Sequence, residues 1–193
     1  MVRATVTVVI PNWNRRELLM RLLDLLARQT HPVTRVVVVD NGSTDGSAEA
    51  AGAWGAHVIS MGHNAGFSRA VNRGVQAVAT EWVAVVNNDV EPEPEWLERL
   101  LGEAQGADAW FVCGKLLSAA RRDRIDGTFD LVCRGGCAWR AGHGREDGPE
   151  WERPRTIRFA PFTASLFRAA LFEKVGLLDE SFESYLVDVD FGL

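Results

Sequence analysis

Cysteine, lysine and tyrosine are scarce in this chain of 193 residues. Cys113, Cys133 and Cys137 are too few and too odd in number for a disulfide framework. Cys133 and Cys137 have the spacing of a metal clip, but no His or Cys pair at zinc-ligand spacing accompanies them, so all three are expected as small, semi-buried residues. The apolar run at the start, VRATVTVVIP, is too short for a secretory leader. No stretch reaches the roughly 18 apolar residues needed to span a bilayer. The expectation is therefore a chain in a reducing cytoplasm, at most peripheral to the inner face of a membrane. Basic residues are outnumbered by acidic ones, 21 to 26, giving a net charge of −5, which disfavours nonspecific nucleic-acid binding. No G-x-S-x-G elbow, P-loop or G-x-G-x-x-G occurs, which argues against hydrolase, NTPase and dinucleotide-oxidoreductase chemistry. His31, His57, His63 and His143 are not paired at metal spacing and are expected on the surface or in packing.

Apolar residues make up 47% of the chain and charged residues 24%, enough to bury a core and far from disorder. The first hundred residues alternate strand and helix. Residues 5–10 (TVTVVI), 35–39 (RVVVV), 57–60 and 82–86 (WVAVV) read as buried strands. Helices are expected at 15–28, in a short segment ending at residue 54, at 67–79 and at 95–104. Asn14, three residues before Glu17, resembles an Asn-led capping box for the first of them. Continuous apolar strands separated by amphipathic helices predict an α/β fold, an open, mainly parallel sheet with helices on both faces. After residue 105 the periodicity weakens. A strand is expected at 109–114, a long Arg-, Gly- and Asp-rich excursion at 119–156, a strand at 158–167 and a helix at 169–175 ended by Gly176.

In such sheets the ligand sits beyond the carboxyl ends of the strands. Here those ends read Pro11-Asn12-Trp13-Asn14, Asp40-Asn41-Gly42-Ser43, residues 61–66, and Asn87-Asn88-Asp89. If residues 87–89 are extended, Asn87 and Asp89 face one point and offer two oxygens to a hard cation, with Asn88 pointing away; the other reading is an ordinary turn. Asp40 can accept hydrogen bonds from a base or ribose, or cap a turn. Asp45 is expected to be a cap. Asp188 and Asp190 are either a general base and its neighbour or two solvated carboxylates at a helix start, and a helix would leave only one of them facing inward. Phe182 and Tyr185 are expected to pack that segment against the sheet.

Taken together, VVIPNWN, VVVVDNGSTDGS, NAGFSRAVNRG, WVAVVNNDVEPEPEWLERL and FRAALFEKVGLLDESFESYLVDVDFGL resemble the inverting family 2 glycosyltransferases of the GT-A fold, in particular their rhamnosyltransferase-like branch. The resemblance covers nearly the whole chain and is weakest at 115–156. It implies one GT-A domain over 1–193, with a nucleotide-sugar-binding half at 1–105 and an incomplete acceptor-side half at 106–193. It implies that Asp40 reads the nucleotide base with Pro11 and Asn14 beside it. Asn64, Gly66, Phe67 and Asn72 match the donor-side loop and helix start. Asn87-Asn88-Asp89 matches the DxD-like metal and diphosphate motif, with Asp89 the principal ligand of Mg²⁺ or Mn²⁺. Asp188 matches the general base of a Glu-Asp motif whose Glu is Val187 here, and Asp190 is the alternative base. The implied reaction moves a sugar from a UDP- or dTDP-sugar to a hydroxyl of a glycan or lipid-linked saccharide, in cell-wall or polysaccharide synthesis. A sugar nucleotidyltransferase would carry a Gly-rich loop where Pro11-Asn12-Trp13-Asn14 stands, and a non-catalytic nucleotide-sugar-binding fragment is the other alternative.

Overall fold

The computed structural model describes residues 3–182 and 184–193. Its centre is a six-stranded sheet in the order β3-β2-β1-β4-β10-β5. β1 (Val6–Asn12), β2 (Arg35–Asp40), β3 (His57–Ser60) and β4 (Trp82–Val86) run parallel. β10 (Ala164–Arg168) lies antiparallel between β4 and β5 (Phe111–Cys113).

The sheet is buried on both faces because its inner strands are apolar at nearly every position. Side chains alternate in direction, so Val6, Val8 and Ile10 meet one helical layer and Val9 the other. The first layer is α1 (Arg16–Leu26), α2 (Ser47–Trp54) and α4 (Trp96–Gly106), which bring Leu19, Leu22, Leu23, Leu97 and Leu101 to the sheet. The second is α3 (Phe67–Val75), α5 (Ala169–Val175) and α6 (Val187–Phe191), built around Phe162, Phe167, Phe172 and Phe191. Pro11 is tolerated inside β1 because it lies beyond Val9, the last β1 residue with a partner on β4, where its missing N–H breaks no ladder bond.

Several expectations are corrected. Asn14 does not cap α1. Its backbone is left-handed at φ 51°, and its Oδ1 accepts the Thr44 amide at 2.8 Å. The amide of Arg16 is capped instead from across the loop by Asp45 Oδ2, at 2.9 Å. α3 ends at Val75 rather than residue 79. The strand expected at 158–167 forms only from Ala164, because Pro161 interrupts it and Ser165 Oγ turns back to the Pro161 carbonyl. The long excursion is two small hairpins, β6 (Leu116–Leu117) with β7 (Ile125–Gly127) and β8 (Asp130–Val132) with β9 (Ala138–Arg140). Tyr185 is 86% exposed and packs nothing, whereas Phe182 does pack against the second layer. Cys137 is exposed, while Cys113 and Cys133 are half-buried.

α3 approaches the sheet through a glycine. A Cβ on Gly74 would overlap Cγ1 of the fully buried Val9 and stand 3.1 Å from Val39 Cγ2. Gly102, in the middle of α4, has open space around its Cα. Gly74→Val should therefore destabilise the fold by about 1–3 kcal/mol through overpacking. Gly102→Ala should stabilise it by about 0.5–1 kcal/mol through backbone entropy alone. Urea unfolding of the two variants checks both signs.

Candidate active site

The four loops expected to carry chemistry meet at the carboxyl end of the parallel strands. They meet around Asn12, which is 2% exposed. Its Nδ2 donates to Ser47 Oγ at 2.9 Å and to Ser43 Oγ at 3.4 Å, and its Oδ1 accepts from Asn88 Nδ2 at 2.8 Å. One amide thus ties the loop after β2 and the loop after β4 to the tip of β1. Asp45 is a double cap: it also accepts the Ser47 amide at 3.0 Å. The Ser47 hydroxyl first, with the Arg16 and Ser47 amides, holds the Asp45 carboxyl below its ordinary value. Gly42 backs directly onto the loop after β3, where a Cβ would stand 2.6 Å from His63 Cα.

Between these loops lies a cleft of about 250 Å³. Pro11, Asn64, Phe67, Asn87, Asn88 and Asp89 line it together. Asn12, Trp13, Arg15 and Asn41 line it too, and sequence reading had given none of them a binding role. The available signal was position alone, since each sits at or just past a strand end. Residues 87–89 are not extended. The Val90 amide closes a turn onto the Asn87 carbonyl at 3.2 Å, and Asn88 reaches Asn12 while still facing the cleft. A larger groove of about 560 Å³ lies at the opposite end of the sheet, where β2 and β3 begin, and no carboxylate or side-chain amide lines it.

The other expected residues are placed as follows. Asp40 does not line the cleft; it is buried at the end of β2, at 3% exposure. Its Oδ2 accepts the Ser43 amide at 3.0 Å, and its Oδ1 is buried without a partner. Gly66 precedes α3 at φ 88°, its amide bound by Asn64 Oδ1 at 3.2 Å and its carbonyl by Asn41 Nδ2 at 3.2 Å. Asn14 holds Thr44 and does not line the cleft. Asn72 is turned away from it. Its Oδ1 accepts the Leu178 amide and its Nδ2 donates to the Leu178 carbonyl, both at 2.9 Å, which clamps the chain after α5 to α3.

Asp188 and Asp190 fall in the one-turn helix α6 and so point apart. Asp190 is exposed, whereas Asp188 is half-buried, with its Oδ1 accepting the Val189 amide at 3.0 Å; Asp130 stands at the start of β8. Asp130 is a residue sequence reading missed. It is 8% exposed, and its carboxyl is pushed up to about 6 by burial and then by the charge of Asp188, with Arg140 opposing. Burial likewise pushes the neighbouring Cys113 thiol up to about 12, which keeps it an inert, uncharged packing group.

Three buried side-chain oxygens, Asp40 Oδ1, Asn41 Oδ1 and Asn87 Oδ1, lack hydrogen-bond partners. Such groups are costly unless something satisfies them. Asn87 Oδ1 and the Asp89 carboxylate are hard oxygen donors on one cleft wall, which suits Mg²⁺ or Mn²⁺ completing its shell with phosphate and water. Among the described residues there is no cluster of three His, Cys, Asp or Glu that could hold a metal without such help.

An open sheet with an oxygen-rich cleft at the carboxyl ends of its parallel strands is the nucleotide-diphospho-sugar transferase, or GT-A, architecture. Residues 7–176 match the family described as Glycosyl transferase family 2, and the chain belongs to that family. It is 30% identical over 190 residues to the pre-mycofactocin glycosyltransferase of Mycobacterium tuberculosis, covering 93% of this chain and 36% of that protein. It is 28% identical over 200 residues to the N-acetylglucosaminyl-diphospho-decaprenol L-rhamnosyltransferase of the same organism, covering 89% and 64%. The chain thus spans between about a third and two thirds of these relatives. Among solved structures, Staphylococcus aureus TarS 1-349 in complex with UDP shares the fold at TM-score 0.71 and 20% identity, covering 97% of this chain and 54% of that one. The mannosyltransferase PcManGT of Pyrobaculum calidifontis, in complex with GDP-Man and Mn²⁺, does so at 0.67 and 18%, covering 93% and 49%.

The Asn12 bonds have a measurable consequence. Asn12→Ala should leave the Asn88 amide nitrogen without its acceptor and take one donor from each of the two serine hydroxyls, costing about 1–3 kcal/mol in urea unfolding. Trp13 fluorescence should report a loosened cleft in the same variant.

Proposed function

We propose that this chain is the donor-binding and catalytic unit of a metal-assisted inverting glycosyltransferase that moves a sugar from a UDP- or dTDP-sugar to a hydroxyl of a saccharide or lipid-linked saccharide. The observation that carries this reading is the set of partnerless buried oxygens of Asp40, Asn41 and Asn87 at the carboxyl ends of β2 and β4. Asp40 Oδ1 and Asn41 accept hydrogen bonds from the base and ribose, with Pro11 and Phe67 as apolar walls. Asn87 and Asp89 would hold the divalent ion. When bound, that ion neutralises the charge developing on the leaving nucleoside diphosphate.

Asp188 takes the proton of the acceptor hydroxyl. The oxygen then forms its bond to the anomeric carbon as the bond from that carbon to the diphosphate oxygen breaks, and the electron pair leaves with the diphosphate. A carboxylate base without an enzyme nucleophile gives a single displacement and inversion. The name of the decaprenol-linked L-rhamnosyltransferase relative supports a lipid-linked acceptor. No helix among the described residues is long and apolar enough to cross a membrane, and such an acceptor would be met at the inner face of one.

The test combines calorimetry of UDP, dTDP, GDP and ADP with Mn²⁺ and transfer assays from the matching sugar nucleotides. Pyrimidine diphosphates should bind more tightly than purine ones, and EDTA should remove most of the affinity. Asp89→Ala should lower kcat/KM by about 2–4 kcal/mol of transition-state stabilisation. Asp188→Asn should abolish transfer and spare UDP binding, while Asp190→Asn should leave both transfer and UDP binding intact. Chelator-insensitive transfer would remove the metal from the reaction, and nucleotide binding without transfer would leave a binding module.

A further inference from the structure

We propose that Cys133 and Cys137, which face each other across the neck of the β8–β9 hairpin, are a reversible dithiol–disulfide site, closed by exchange with a small-molecule disulfide of the glutathione class. Neither residue lines the cleft, and the site does not depend on sugar transfer.

The backbone sets the pair. β8 and β9 are in register at Leu131 with Trp139 and at Val132 with Ala138. One step further along both strands, Cys133 donates its amide to the Cys137 carbonyl at 2.9 Å, so the two cysteines stand directly opposite. The Gly136 amide closes a turn onto the Cys133 carbonyl at 3.0 Å, and Gly136 takes the left-handed backbone, φ 79°, of a glycine bulge after that turn. A hydrogen-bonded antiparallel pair holds its Cα atoms about 5.5 Å apart, inside the span that a disulfide bridges. Side chains alternate along each strand, so both cysteines share one face with the exposed Leu131 and Trp139, while Asp130 and Arg140 pair on the other.

The two thiols suit different parts in an exchange. The Cys133 sulfur lies over the turn, where a Cβ on Gly135 would stand 3.6 Å from it. The amide of Cys137 first, and that of Gly135 next, hold the Cys133 thiol below its ordinary value, which favours the attacking thiolate. Cys137 is exposed, so packing does not account for its thiol. Cys113 is excluded: it donates to the Thr128 carbonyl at 3.3 Å and burial keeps it protonated. A metal clip needs further ligands, and among the described residues no third His, Cys, Asp or Glu joins the pair.

The Cys133 thiolate attacks one sulfur of the external disulfide. The other sulfur leaves as a thiolate, and a mixed disulfide remains on Cys133. The Cys137 thiolate then attacks the Cys133 sulfur and expels the second external thiolate. The two protons given up by the cysteines go to the two expelled thiolates. One protein disulfide forms, one external disulfide is reduced to two thiols, and no other oxidant enters.

Arg134 makes the site easy to read, because trypsin cuts there, between the two cysteines. Cleavage separates residues 125–134, with Cys133, from residues 135–140, with Cys137, and leaves Cys113 on a third peptide. The whole chain is incubated with oxidised glutathione, unfolded in N-ethylmaleimide to block the remaining thiols, and digested for mass spectrometry. Peptides 125–134 and 135–140 should be found joined, in a chain that runs as a monomer on a non-reducing gel, with maleimide on Cys113. Dithiothreitol before blocking should abolish the join. Cys137→Ser should stop with glutathione retained on Cys133. Cys133→Ser should lose the joined peptides and take up glutathione more slowly than Cys137→Ser. Glutathione retained on Cys133 in the wild-type chain beside a blocked Cys137, a bridge to Cys113, or a bridge between two copies of the chain overturns the proposal.

Discussion

The cleft end of the molecule hangs on one buried amide. β1 runs past its last partner on β4, and a polar side chain buried there must be satisfied on both its nitrogen and its oxygen. Asn12 does this by reaching sideways to Ser43 and Ser47 and accepting from Asn88. Three loops that would otherwise move independently are thereby held as one wall. The partnerless oxygens of Asp40, Asn41 and Asn87 are set among groups fixed in this way. Asn14 and Asp45 repeat the device one layer out, with the loop after β1 and the loop after β2 each capping the other.

The strands and helices of the first half were legible because both of their signals are strong. WVAVV and RVVVV are continuous apolar runs, and the leucines of α1 fall at helical spacing. The carboxyl-end loops were legible through topology, since any polar residue ending such a strand faces the ligand side. What could not be read were contacts across the chain. Nothing local distinguishes Asn14 as a link to Thr44 from Asn14 as a helix cap, and the trans cap from Asp45 left no mark near α1. The turn at Asn87-Asn88-Asp89 and an extended strand end have the same composition. The hairpins between residues 116 and 140 have strands of two or three residues, too short for a period to register. Asp130 was hidden for that reason.

The approach to Asp188 is under backbone constraint. Tyr185 and Leu186 both lie at positive φ, 59° and 60°, a conformation that costs a residue with a Cβ on the order of 1–2 kcal/mol. Both side chains are exposed, so their own packing does not impose it. The constraint comes from the flanks. Ser68 Oγ donates to the Phe182 carbonyl before the turn, and Phe191 is seated among Phe162 and Phe172 after it. The reversal between these anchors buries Val187 and leaves Asp188 half-buried.

The antiparallel strand between β4 and β5 also bears on how the chain is made. β4 is the strand whose end carries Asn87, and its second neighbour, β10, is separated from it by α4 and both hairpins. During synthesis, WVAVV leaves the ribosome with β1 already available on one side and nothing on the other. Until residues 164–168 emerge, the nascent chain carries an apolar open edge able to recruit strands from other chains. The sheet is sealed only by its late, long-range pairing, so the strands that end at the cleft depend on translation reaching β10 to close their open edge.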